Sequence, residues 1–253
     1  MITNPTNSLE WIIYLAQHYS GMFIQGTLLT LYIAVIGTLL GFLLGYGAGI
    51  VQDIRIRPAD HALKKAGLRV LKAIFTVYVE IFRDTPMMVQ AMVVYYGILQ
   101  AGFDISPIAA GILVTVLNTG AYMAETVRAG INSVDLGQRE GALAMGMSPL
   151  KTMFYIILPQ VLRNILPEMG NTFLTNLKMT SVLNVLAINE LYMAAKTAGS
   201  VNYKYFQSFL LTAVIYFVLC FAFSRIFRLM EKHLEGKKDW LLFCTSKGGG
   251  SLS

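Results

Sequence analysis

The chain has 253 residues, of which 55% are hydrophobic and 13% charged, with a net charge of +6 and a mean hydropathy of +0.58. Soluble domains carry about 25% charged residues, so this composition lacks the polar surface to cover itself in water and points to an integral membrane protein. The basic excess falls between apolar runs and not on one solvated face, which argues against nucleic acid as a partner. The two cysteines, Cys220 and Cys244, make neither a disulfide framework nor metal spacing. The histidines His18, His61 and His233 are dispersed, leaving no triad or metal site.

No Asp, Glu, Lys or Arg occurs between Trp11 and Gln52. Trp11 to Tyr19 mixes aromatic and polar residues, which suits an interfacial helix within an N-terminal segment 1–20. Met22 to Val51 is long enough to cross the ~30 Å hydrocarbon core. No basic residue precedes Arg55, so this run is read as a retained span and not as a cleavable signal. Gly37, Gly41, Gly45 and Gly49 recur every four residues, the spacing of a close helix-packing face. Further spans are expected at 72–100, 107–128, 165–187 and 205–229. The expected fold is all-α, with five transmembrane helices over 21–230, an N-terminal interfacial helix and a C-terminal tail at 231–253. The final LLFCTSKGGGSLS reads as a flexible linker, an expression remnant outside functional reasoning.

Loop charge sets the orientation. The N-terminal flank and the loop 101–106 hold no Lys or Arg, and 188–204 holds only Lys196 and Lys204. The other side carries Arg55, Arg57, Lys64, Lys65, Arg69 and Lys72, then Arg128, Arg139, Lys151 and Arg163, then Arg225, Arg228, Lys232, Lys237 and Lys238. The N-terminus is therefore expected outside and the C-terminus inside, with residues 138–160 in the cytoplasm.

That loop contains EGALAMGMSPLKTMFYIILPQ, beginning at Glu140. EGALAM predicts one short helix and PLKTMFYIIL another. Gly146 takes the left-handed conformation that ends the first; Ser148 caps the second, with Pro149 in its first turn. Pro159 is expected to break the pattern before the chain re-enters the membrane after Arg163. The hairpin's exposed side is expected to show Ala142, Leu143, Met145, Met147 and Met153. Such an apolar face suits a protein partner's groove or the lipid headgroups.

A glutamate-led EAA-like triplet, a Gly four residues past it and an I-x-L-P ten residues beyond that are carried here by Glu140, Gly141, Ala142, Gly146, Ile156, Leu158 and Pro159. The pattern resembles the coupling loop of a permease subunit of an ABC importer, with Gly141 in place of the first Ala. FRDTPMMVQAMVVYYG at 82–97 is similar to the FRGTP-led second span of the polar amino-acid permeases. AYMAETVRAGINSV at 121–134, LPQ at 158–160 and LKMTSVLNVLAINEL at 177–191 are similar to their third span, coupling loop and fourth span. The resemblance covers about residues 20–230. Asp84 replaces the usual Gly, and Met179 the usual Asp of LKDTS, which leaves the substrate open.

The resemblance implies a type I importer in a bacterial plasma membrane. Its parts would be two permeases (two copies of this chain, or this chain with a related one), a cytoplasmic ABC ATPase dimer holding ATP and Mg, an extracytoplasmic solute-binding protein and a polar amino acid as cargo. It implies ATPase coupling through Glu140, Gly141, Ala142, Gly146, Met147, Ser148, Pro149, Leu158 and Pro159. No GxxxxGK[ST] phosphate loop occurs in the sequence, so ATP hydrolysis is assigned to another chain, and this one is expected to be no enzyme and to bind no cofactor or metal.

FRDTP lies near the middle of the second span, where Pro86 removes a helical hydrogen bond and disfavours helix at Thr85. A break at Arg83 to Thr85 needs protein or a watery cavity to satisfy its free backbone groups, so the solute path is expected there. Glu80, Arg83 and Asp84 either form a structural ion pair or meet the ammonium and carboxylate of an amino acid. Asn118, Glu125, Glu168, Asn171, Lys178 and Ser181 are further pathway candidates, joined by Asn176, Thr180 and Asn184. Each serves equally as a bridge between helices, and Glu125 can pair with Arg128 three residues on. Tyr95 and Tyr96 read as interfacial belt or packing residues. One alternative is an ion-coupled secondary transporter or channel without an ATPase, using Asp84, Glu80 or Glu125; it predicts an inverted repeat, which the sequence does not display. Another is an ABC permease for a different solute, such as methionine.

Overall fold

The structure, a computed structural model, describes residues 5–54, 56 and 61–246, with side chains as far as Lys232. The described residues are helical and contain no strand. In chain order the helices are α1 (Ser8–His18), α2 (Ser20–Asp53), α3 (Ala62–Asp84), α4 (Met87–Gln100), α5 (Pro107–Asn132), α6 (Leu136–Ala144), α7 (Pro149–Thr152), α8 (Leu158–Met179), α9 (Leu191–Asn202) and α10 (Tyr205–Ser246). A π-turn at Met153–Ile157 and a 3-10 segment at Thr180–Leu186 flank α8.

Among the described residues, three helices are long and apolar enough to cross a membrane: Ser20–Asp53, Pro107–Asn132 and, within α10, Tyr205–Lys232. At 1.5 Å per residue α2 is about 51 Å long, well beyond the hydrocarbon thickness. The stretches expected as second and fourth spans are interrupted: the first is α3 and α4 separated at Thr85, and the second is α8 followed by 3-10 turns. The helix of α10 continues through Ser246, so LLFCTS is helical and not linker. The remaining Lys247–Ser253, like loop residues Arg55 and Arg57, lie outside the described residues.

The glycine stripe of α2 does what its spacing predicts. A methyl group on Gly45 would stand 2.6 Å from the Gly120 carbonyl oxygen of α5 and 2.8 Å from the Ala124 nitrogen. Only the absence of a Cβ lets the two backbones come this close. Asn176 of α8 locks the same pair from the third side, its amide donating to Thr38 Oγ1 (2.8 Å) and Thr119 Oγ1 (2.9 Å). Phe42, Met123, Val127, Val161 and Ile165 fill the space between α2, α5 and α8.

The N-terminal helix packs its Leu15 face with Phe23, Leu191 and Ala195. The Lys204 ammonium lies 5.0 Å from the Trp11 ring centre, a cation–π contact. Hydrogen bonds from the Thr6 N–H, the Thr6 hydroxyl and the Asn7 N–H hold the exposed Glu10 carboxyl below its ordinary pKa.

Candidate functional site

The hairpin at 136–157 is built by local capping. Asp135 accepts the Gly137 N–H at the start of α6 (2.6 Å). Gly146 ends it at φ +83, with Gly146 N–H donating to Leu143 O (3.0 Å) and Met147 N–H to Ala142 O (3.1 Å). This paired bonding is a Schellman motif, which requires a left-handed residue and so favours glycine. Ser148 Oγ then accepts the Lys151 N–H (3.3 Å), with Pro149 at the first position of α7.

Pro159 does not break the chain as expected. It sits at the second position of α8, and the preceding π-turn joins α7 to α8 as one helical run. Proline has no N–H for the carbonyl one turn back and crowds it; widening to π geometry relieves that crowding without ending the helix.

The hairpin's exposed face is partly the one expected. Leu143 and Met145 are exposed as expected, but Ala142 is buried, and Met147 and Met153 are half-buried, Met153 against the cluster that holds Ile157 and Leu158. The rest of the outward surface is Glu140, Gly141, Leu150, Phe154 and Tyr155, with Met145 78% and Tyr155 72% exposed. Gly146, Ser148, Pro149 and Pro159 are exposed as well. Of the residues assigned to coupling, Ala142 and Leu158 are buried and Met147 half-buried, and the others are exposed.

At the α3/α4 break Thr85 is extended (φ −118, ψ 148). Carbonyls released at the end of α3 and at the break find side-chain donors. Thr85 Oγ1 donates to Ile81 O (2.6 Å), and Gln90 Nε2 to Phe82 O and Thr85 O (both 2.9 Å). Asn118 Nδ2 donates to Phe82 O (3.1 Å) and Gln90 Oε1 (3.0 Å). Tyr122 Oη lies 3.5 Å from Arg83 O. Backbone satisfaction of this kind is what a break at membrane depth demands. Gln90 was not singled out from the sequence, although a lone Gln in MMVQAMVV four residues past Pro86 is a usable signal.

Arg83 and Asp84 form no ion pair. Arg83 turns instead to Glu125 of α5 (3.3 Å) and lies over the Tyr122 ring, and Glu125 also takes the expected Arg128 (2.5 Å). Asp84 and Glu80 are exposed, and neither makes a hydrogen bond or ion pair among the described residues. Glu168 is likewise exposed on α8.

Lys178 and Ser181 come together at the mouth of a groove of ≈ 510 Å³ walled by Tyr192, Phe209, Thr212, Tyr216, Phe217 and Cys220. Behind the wall lies Glu190, fully buried, which caps α9 by accepting the Tyr192 N–H (2.8 Å) and Met193 N–H (2.9 Å) and also accepts from Tyr216 Oη (3.3 Å). Glu190 too was missed; its burial arises from α2 and α10 closing over α9, which no local pattern reveals. Asn171 borders a second groove of ≈ 450 Å³ between α2, α8 and α10, with Thr38, Phe227 and Arg228. Met179 faces the core beside Leu183 and Ile188 and not the Lys178 groove.

Residues 66–236 match the family described as the binding-protein-dependent transport system inner membrane component. The chain is 32% identical over 213 residues to the arginine transport system permease protein ArtQ of Bacillus subtilis (strain 168), covering 84% of this chain and 92% of that one. It is 31% identical over 216 residues to the glutamine transport system permease protein GlnP of Escherichia coli (strain K12), covering 85% and 93%. A crystal structure of an amino acid ABC transporter with histidines contains a chain that superposes with a TM-score of 0.77 at 32% identity, covering 91% of this chain and all of that one. The family match, most of the chain in extent, and these near full-length likenesses agree with the capped hairpin and the broken span: the chain is a multi-pass membrane protein and belongs to the family of binding-protein-dependent transport system inner membrane components.

Proposed function

We propose that this chain is the translocating subunit of an ATP-driven importer that carries a polar amino acid inward. Its relatives named for arginine and glutamine transport support that solute class. The loop charges support an N-terminus outside and a C-terminus in the cytoplasm, which puts the hairpin on the side where ATP is available. On this reading five membrane passages are made by α2, α3 with α4, α5, α8 and α10.

The observation that carries the proposal is the hairpin's surface. Leu143, Met145, Leu150, Phe154 and Tyr155 stand exposed on a rigidly capped element. An apolar helical patch of this kind is suited to a partner's groove. The partner is a cytoplasmic ATPase dimer, which holds the ATP and Mg, and the second half of the pathway is another copy of this chain or a related permease. An extracytoplasmic solute-binding protein delivers the cargo. This chain contributes no bond-making step.

ATP-driven closure of the ATPases moves the two hairpins and biases the permease pair between inward- and outward-open states. Within the path, the Lys178 ammonium offers a charge-assisted partner for the solute carboxylate, with the Ser181 hydroxyl beside it. Asp84, exposed and unbonded at the break, offers the opposite charge to the solute ammonium. The Arg83–Glu125 pair and the Gln90–Asn118 bonds keep the break ordered while it faces water.

Glu140→Arg tests the reading. It reverses the charge of an exposed hairpin residue and disturbs no internal contact, so the chain still inserts in the membrane. Affinity capture of the permease is expected to lose the ATPase and uptake to fall to background; retention of both would overturn the proposal.

A further inference from the structure

The cytoplasmic-side end of α2 concentrates negative potential. The helix dipole places partial negative charge there, Asp53 adds a carboxylate in the last turn, and that turn holds no basic residue. Among the described residues, two cations reach it from other elements. Lys72 Nζ of α3 donates to Gln52 O at 2.8 Å, and Arg139 of α6 bonds Asp53 Oδ2 at 3.0 Å across 86 positions of sequence. The Arg139 and Asp53 side chains are only 21% and 11% exposed, so water screens the pair poorly compared with a surface bridge.

Arg139 is the residue immediately before Glu140. On α6 it is half-buried and one turn before the buried Ala142, while its neighbours Glu140 and Gly141 are exposed. We infer that Asp53 and Arg139 are positioning residues that deliver hairpin movement to the broken span. Movement of α6 pulls on Asp53; Gln52, its neighbour, is bonded to Lys72; and α3 runs from Lys72 as a continuous helix to Asp84, where the break begins. α2 cannot absorb the pull by sliding independently, because its glycine stripe is seated on the α5 backbone. The pair is therefore a strut between the ATPase-facing surface and the α3/α4 break, and this inference rests on the coupling reading of the hairpin.

The test uses the full complex of permease and ATPase in lipid, with Met88→Cys, exposed in the first turn after the break, as reporter and Cys220 and Cys244 replaced by serine. The rate of thiol labelling is compared without nucleotide and with ATP and Mg. Asp53→Asn and Arg139→Gln are expected to retain the ATPase and its basal hydrolysis but to reduce the nucleotide-dependent change in labelling about fivefold, the size of a modest coupling free energy. The exchanged pair, Asp53→Arg with Arg139→Asp, is expected to recover most of the response. Single variants with the full response, or an exchanged pair as impaired as either single, would overturn the strut. Loss of the ATPase from the single variants without recovery in the exchanged pair would also overturn it, by reducing the pair to a fold-holding contact. Failure of the ATPase to associate with the reporter chain lacking these changes would instead overturn the coupling reading itself, and the strut with it.

Discussion

Gly146 isolates the conformational requirement of the hairpin from its packing. Its φ is +83, and a Cβ built there meets nothing within 4 Å, so a substitution introduces no clash. What changes is the cost of the left-handed conformation, about 1–2 kcal/mol for an ordinary L-residue, highest for a β-branched side chain and least for Asn. The two bonds it supports, Gly146 N–H to Leu143 O and Met147 N–H to Ala142 O, aim α7 relative to α6 and so set the surface formed by Met145 and Leu150. If the ATPase binds only that arrangement, 1–2 kcal/mol translates into about five- to thirtyfold weaker association. Titration of purified ATPase onto membranes bearing each variant should rank Asn nearest wild type, then Ala, then Val. Valine equal to wild type, or Asn as poor as Val, would refute the hairpin geometry as the determinant.

Gly141→Ala should strengthen α6, because Gly141 is exposed with nothing within 4 Å of a built Cβ and Ala gains roughly 0.8–1 kcal/mol of helix propensity over Gly; hydrogen exchange of the α6 amides should slow, and faster exchange would contradict the assignment. Gly45→Ala should destabilise the protein by about 1–3 kcal/mol, since the Cβ would be driven into the backbone of α5. Thermal unfolding in detergent reads this, with Gly47→Ala, which meets nothing within 4 Å, as the control that should not lose stability.

Features that depend on local chemistry were legible in the sequence. The glycine stripe of α2 follows from its four-residue spacing, and the Gly146 turn, the Ser148–Pro149 start and the extended Thr85 before Pro86 from local backbone and capping preferences; the structure has all four. Pro159 was misread because proline alone does not say whether a helix stops or widens; here the turn before it widens to π geometry, with Ile157 and Leu158 buried in the bundle. Ala142, Met147 and Met153 were misplaced, though Leu143 and Met145 were not, because hydropathy identifies an apolar hairpin but not which of its apolar sides meets the spans. The partners of Arg83 and Asp53 were hidden for a different reason. Glu125 and Arg139 are distant in sequence, and only the packing of α5 and α6 brings them within reach.

The most direct measurement of the central claim is ATP hydrolysis by the complex assembled in lipid with its ATPase and solute-binding protein, read while single amino acids are added in turn. The account predicts that one or a few polar amino acids raise hydrolysis and are accumulated inside the vesicles, and that Lys178→Met removes the stimulation while the ATPase stays bound. Accumulation that proceeds without ATP, or without any ATPase in the membrane, would contradict it.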